Sequence, residues 1–119
     1  MPDKLASKHC VPCSGSIPAL SPGEVDRLLR EIDEWALLTE PHRLSRRFTF
    51  GDFVSAMGFV NRVAELAEAE GHHPDIVVHY NQVTLDIWTH AISGLSESDF
   101  VLAAKVSELL ENRHQGHGA

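Results

Sequence analysis

The sequence predicts an α+β fold of order αββαββα, in which a four-stranded antiparallel sheet carries three helices packed on one face. Three observations lead there. Apolar residues recur at helical spacing in three separate segments, within 25–32, 53–67 and 100–110. Between them lie two pairs of short runs rich in β-branched, aromatic and alternating apolar residues. Each pair is joined by a turn and not by a crossover helix, which makes the pairing antiparallel. At 119 residues, 43% apolar and 23% charged, the chain holds the material for one packed domain and no more.

Residues 1–19 show neither period and contain Pro2, Pro12, Gly15 and Pro18, so they read as an irregular arm ahead of a domain at 20–112. In "LSPGEVDRLLREI" Ser21 is placed to cap a helix, with Pro22 at its first position, Glu24 completing a capping box and Leu20 stapling onto Val25. Val25, Leu28, Leu29 and Ile32 give that helix its apolar face. "WALLTEPHRLSRRFTF" reads as a hairpin turning at Glu40-Pro41, since Leu44, Arg46, Phe48 and Phe50 alternate with Ser45, Arg47 and Thr49. Asp52 caps the second helix, whose predicted core stripe is Phe53, Met57, Val60, Ala64 and Ala67. Gly71 suits the left-handed stop position and Pro74 prevents a restart.

"DIVVHY" and "VTLDIWT" form the second strand pair around Asn81-Gln82, with Val83, Leu85 and Ile87 on the covered face and Thr84, Asp86 and Trp88 on the other. The last helix opens at "SESD", where Ser96 and Asp99 fit a capping box, and buries Phe100, Leu102, Ala103, Val106, Leu109 and Leu110. Residues 113–119 read as a frayed tail.

Composition excludes several functions. A net charge of −7, with no basic run longer than Arg46-Arg47, gives no phosphate-binding surface, so direct nucleic-acid binding is not expected. No apolar run is long enough to span a bilayer and "MPDKLASKHC" is not a signal peptide, so a cytoplasmic protein with no membrane contact is expected. Cys10 and Cys13 are the only cysteines, too few for a four-cysteine zinc site, and "HCVPCSGSIP" lacks the strand and helix of a redox motif; they read as free thiols.

The chemistry-bearing stretch is "EAEGHHP", Glu68 to Pro74. His72 and His73 stand between a helix stop and a strand, and Glu68 lies one helical turn before His72, within reach of its imidazole if the last turn stays helical. His90 stands where "VTLDIWT" ends, a position where functional groups are commonly mounted. Histidine exchanges protons near neutrality, so the set suits acid–base catalysis. Each residue has a plainer reading: Glu68 on a solvated helix face, His73 packed against or hydrogen-bonded to the sheet, Asp99 as a cap, Trp35 and Trp88 packed against a sheet, and His42, His79, His114 and His117 on the surface.

In combination, E-x-x-x-H-H-P, Tyr80-Asn81-x-Val83, Thr89-His90 and Gly94-Leu95-Ser96-x-x-Asp99 resemble the pterin-4a-carbinolamine dehydratase family. The similarity extends upstream through "GFVNRVAELAE", "RRFTFGDF" and Trp35, and the "CVPC" arm is similar to that of bacterial members. The resemblance implies dehydration of a 4a-hydroxytetrahydropterin, such as 4a-hydroxytetrahydrobiopterin, to the quinonoid dihydropterin. It implies a functional link to an aromatic amino acid hydroxylase, a homodimer or homotetramer, and neither metal nor organic cofactor. Carried onto this chain, it implies catalytic roles for His72, His73, His90 and Glu68, with Asp99, Trp35 and Pro74 at the substrate. Two other classes compete: a non-catalytic binding module on the same fold, acting as a transcription or assembly cofactor, and a metal site built from the histidines, which adjacent imidazoles suit poorly.

Overall fold

The computed structural model describes residues 5–8, 10, 19–39, 42–92 and 94–115. The first helix, α1 (Pro22–Leu29), begins as its sequence requires. Ser21 Oγ accepts the Glu24 N–H at 3.3 Å while Glu24 Oε1 accepts the Ser21 N–H at 3.0 Å, so two donors at the helix start are satisfied reciprocally. Donation from the Ser21 N–H, and next from the Ser21 hydroxyl, holds the Glu24 carboxyl below its ordinary value. The helix closes at Leu29, and Ile32 joins Val25 and Leu28 in the core from the turns that follow.

The longer α2 (Phe53–Glu70) starts on Asp52, whose Oδ1 accepts the Ser55 N–H at 2.8 Å. It stops on Gly71 at φ +67°, whose N–H returns to the carbonyls of Ala67 and Glu68. A side chain is strained in that left-handed conformation, which is why glycine stands there. The buried stripe differs from the expected one: Ala56, Phe59, Val63 and Ala67 face the core, Ala64 is exposed, and Phe53 and Val54 are 48% and 77% exposed. The segment "AMGFVNRVAEL" is apolar over much of its circumference, so spacing alone does not fix which side turns inward.

Four strands, β1 (Ala36–Leu38), β2 (Arg43–Thr49), β3 (Asp75–His79) and β4 (Gln82–Ile87), form one antiparallel sheet in the order β1-β2-β4-β3. The expected turn at Glu40-Pro41 lies outside the described residues; the second hairpin turns on Tyr80-Asn81, one residue earlier than the sequence suggested. Tyr80 takes φ +54°, and Asn81 Nδ2 donates to the Phe50 carbonyl at 2.7 Å. Register places Leu44 beside Ile87, Arg46 beside Leu85, and Phe48 beside Val83 on the helix-covered face. Arg46 belongs there because its guanidinium lies over the Phe48 ring, 4.5 Å from the centroid, and donates to Ser107 Oγ at 3.1 Å. On the open face Asp86 accepts from Ser45 Oγ and from Arg43 Nε at 3.2 Å.

The last helix, α3 (Glu97–Gln115), is buried through Phe100, Val101, Leu102, Ala103 and Val106 and runs past the boundary at 112 expected for the domain. Part of the irregular arm is docked on the domain. Leu5–Ser7 form a 3₁₀ turn against α3, and Leu5 is 4% exposed. An apolar side chain with a place in the core helps dock a segment that carries no periodic signal. Among the described residues no helix is long and apolar enough to cross a membrane.

Candidate functional site

Gly71 decides how the two adjacent histidines diverge. The left-handed residue ends the helical path, so the next residues no longer follow helical spacing, and the four-residue reach from Glu68 to His72 does not form. His72 turns inward: its Nε2 lies 2.6 Å from Asp99 Oδ1, with the imidazole 12% and the carboxylate 0% exposed. His73 turns outward, and its Nε2 lies 2.6 Å from Glu68 Oε2 with both side chains largely in water. The expected Glu68–His72 pair is therefore replaced by two pairs, one buried and one exposed.

Asp99 is the hub. Its second oxygen, Oδ2, accepts from Thr89 Oγ1 at 2.8 Å and from the Ser96 N–H at 2.8 Å, the latter being the cap legible in the sequence. Thr89 Oγ1 and Ser96 Oγ also lie 3.0 Å apart. A carboxylate wholly removed from water is tolerable only with its oxygens satisfied in this way. An ionised carboxylate accepts and does not donate, and in that state it holds the proton of a neutral His72 on Nε2; among the described residues Nδ1 has no hydrogen-bond partner. Three elements meet at Asp99: the junction after α2, the end of β4, and the first turn of α3. The sequence places Thr89 and Ser96 in the motifs that carry the resemblance, and Ser96 in the cap, but gives neither a role at a site.

His90 follows Thr89, whose backbone is fixed by exchange of bonds with Gly94, and opens a 3₁₀ turn, His90–Ile92. Its ring is exposed and packs edge-on against Trp88 with centroids 4.0 Å apart. His72 and His90 are thus joined through Asp99 and Thr89. Pro74 is half-buried between the histidines and β3. Trp35 is placed elsewhere: it is 6% exposed, stacks edge-on with Phe48 and donates to Ser107 Oγ at 3.2 Å. Ser107 is about 12 Å along α3 from Asp99 at 1.5 Å per residue, so Trp35 supports the core and presents no surface to a ligand at the histidines. Asp99, expected at the substrate, is 0% exposed and bonds His72 in place of meeting solvent. Among the described residues no group of three His, Cys, Asp or Glu side chains is placed to share a metal ion.

Cys10, a free thiol, rests against the far side of this cluster, with Sγ 3.5 Å from the Ser98 carbonyl. Burial, and next the Glu70 carboxylate, push its thiol from 9.0 up to about 12. Such a shift lowers the thiolate fraction at neutral pH by about 10³, and the thiolate is the reactive form. Iodoacetamide is therefore expected to modify Cys10 about 10³ times more slowly in the folded protein than in urea, measured on a Cys13→Ala variant so that one thiol is followed. Equal rates would show that the thiol is not held in this environment. Cys13 lies outside the described residues.

Residues 18–109 match the family model described as pterin 4 alpha carbinolamine dehydratase. A protein of Rubrobacter xylanophilus, provisionally named a pterin-4-alpha-carbinolamine dehydratase, is 49% identical over 106 residues, 89% of this chain and 98% of the relative. One from Halorhodospira halophila with the same provisional name is 47% identical over 88% of this chain and 96% of its own. Among solved structures, a transcriptional coactivator/pterin dehydratase from Brucella melitensis superposes with a TM-score of 0.73 at 33% identity, covering 76% of this chain and 97% of that one. A pterin dehydratase-like protein identified as a RuBisCO assembly factor in the alpha-carboxysome gives 0.56 at 27% identity, covering 64% and 88%.

Proposed function

Because the chain belongs to the pterin-4a-carbinolamine dehydratase family, we propose that it removes water from a 4a-hydroxytetrahydropterin by histidine-based acid–base catalysis. The observation that carries this reading is the inward His72, held at 2.6 Å by a fully buried carboxylate that also anchors the strand end bearing His90. The C4a–O bond breaks as an imidazolium gives its proton to the departing hydroxyl. A base takes the proton from N5, and the N5 electrons close the C4a=N5 bond of the quinonoid dihydropterin. One water leaves and no electrons are exchanged, so the reaction calls for proton donors and acceptors and for no redox group.

His72 is the leading acid in this scheme, with Asp99 holding Nε2–H so that Nδ1 carries the working proton. His90 is the partner acid or base. His73, with Glu68, and Pro74 stand beside His72 and are assigned to shaping the site and binding the pterin. Trp35 supports the domain from its core. The natural substrate in this reading is 4a-hydroxytetrahydrobiopterin or a close relative, left by an aromatic amino acid hydroxylase in the cytoplasm, and the catalytic unit is the domain at 20–112. The direct test is stopped-flow measurement of dehydration on freshly generated 4a-hydroxytetrahydropterin. A rate no faster than the uncatalysed reaction would reject the proposal and favour a binding module, in line with the similar pterin dehydratase-like protein identified as a RuBisCO assembly factor.

Association belongs to the same proposal. β1 and β3 are edge strands, and β3 carries the exposed Val77 (60%) with Tyr80 (63%) just beyond it. An unblocked edge with apolar side chains favours pairing with another chain. Sedimentation at micromolar concentration is expected to give a dimer or tetramer; an active monomer would remove this claim and leave the chemistry standing.

A further inference from the structure

We propose that Glu70, Lys105 and the arm residues 5–8 and Cys10 form a positioning unit that holds His72 in register with Asp99, an inference that rests on the dehydratase reading. The His72–Asp99 bond joins two separate elements, the end of α2 and the first turn of α3, so its length depends on their spacing. Glu70, two residues before His72, fixes that spacing. Its Oε2 lies 3.5 Å from Lys105 Nζ on α3, and the two side chains are only 9% and 13% exposed. The α2 terminus is thereby tied to α3 at two points, at Asp99 and about 9 Å further along the helix at 1.5 Å per residue.

The arm completes the arrangement. Lys105 Nζ donates to the Ala6 carbonyl at 2.8 Å, and Glu70 Oε1 accepts the Cys10 N–H at 2.9 Å. Leu5 anchors one end in the core, Lys8 pairs with Glu97 at 2.9 Å in the first turn of α3, and Cys10 lies against Ser98, the neighbour of Asp99. An apolar pair would join the helices at least as stably as a nearly dry ion pair. What the charges add is direction, since Lys105 bonds both α2 and the arm, and Glu70 bonds both α3 and the arm. The arm contributes backbone groups at Ala6 and Cys10, so its cysteine side chain is not what the unit requires.

The test uses the full chain with Lys105→Met, Lys105→Arg, Glu70→Gln and Leu5→Ala, assayed well below each thermal midpoint. Two readouts are taken: kcat and KM for dehydration, and the downfield proton resonance of the His72 Nε2–H, assigned by its loss in His72→Ala. For Lys105→Met and Glu70→Gln the expected result is a fall of about tenfold in kcat with KM little changed, the effect of a misplaced acid. The His72 resonance is expected to weaken or vanish in both, and Lys105→Arg is expected to restore rate and resonance together. Leu5→Ala is expected to move both readouts in the same direction by less. A purely structural arm would lower the midpoint while kcat and the resonance stayed at their original values, and that result overturns the proposal. Should the unaltered protein show no dehydration, the functional reading falls, and the resonance alone decides the positioning unit: retained in Lys105→Met it refutes the unit, lost it upholds it. If Lys105→Met does not fold, Glu70→Gln and Leu5→Ala carry the same two readouts.

Discussion

Replacing His72 with Ala is expected to lower the dehydration rate by about 10²–10⁴, the usual contribution of a positioned acid or base. That is about 3–5 kcal/mol of transition-state stabilisation. His90→Ala is expected to fall in the same range, and the double variant is expected to lose less than the product of the two because both imidazoles serve one transition state. The two single variants differ in what else they disturb. His90 is exposed, so its removal leaves the fold alone, whereas removing His72 strips a partner from a carboxylate with no access to water. His72→Gln separates these effects, since its amide can still donate to Asp99 while exchanging no proton near neutrality. It is expected to melt close to the unaltered protein and to be as slow as His72→Ala. Glu68→Ala removes only an exposed partner of His73 and is expected to cost a few-fold at most, as exposed ion pairs contribute little. If His72→Ala and His90→Ala both kept the original rate at saturating pterin, the catalytic reading would be abandoned.

How far the sequence carried the architecture depends on which interactions are local. The capping box at Ser21 and Glu24, the Asp52 cap and the Gly71 stop each involve residues within four positions, and all appear where their chemistry called for them. The alternation of Val83, Leu85 and Ile87 fixed the covered face of β4 because one face of an antiparallel sheet is usually buried and the other wet. The inward side of α2 was misread by about one position, since neighbouring residues there are nearly equally apolar and only the sheet against which they pack chooses among them.

The site was legible as a set of residues and illegible as a set of partners. Spacing proposed Glu68 for His72, but the i,i+4 rule holds only while the helix lasts, and the glycine that ends it also turns the two imidazoles apart. The true partner lies 27 residues away in sequence, where no local rule reaches. Asp99 was visible as a cap, and that explanation was correct for one of its oxygens; the other was left for His72. A buried tryptophan and a ligand-facing one carry the same letter, so the location of Trp35 beside Ser107 could come only from the packed structure.

The double use of Asp99 gives the most demanding prediction. Asp99→Asn keeps the size of the side chain and one acceptor oxygen, enough for the Ser96 N–H and the Thr89 hydroxyl. It places an amide that donates where a carboxylate oxygen accepted, so Nε2 of His72 must surrender its proton to keep the bond, and the ring is forced into the other tautomer. The imidazolium that would deliver a proton to the leaving hydroxyl also loses its counter-charge. A fall in kcat of about 10²–10⁴ is therefore expected with a fold close to the original, a loss comparable to removing the imidazole itself. Asp99→Ala goes further, because it leaves the Thr89 hydroxyl, the Ser96 N–H and the His72 ring without an acceptor in a site closed to water. Each buried donor left unsatisfied costs about 1–3 kcal/mol, so the three together are enough to lower the melting midpoint by about 10–20 °C in a domain of this size. Thermal melts of both variants, taken with stopped-flow rates at a temperature where each is folded, separate the two effects. An Asp99→Asn protein that dehydrates the pterin at the original rate would show that His72 works without a fixed tautomer, and the scheme in which Asp99 holds Nε2–H so that Nδ1 can act would be discarded.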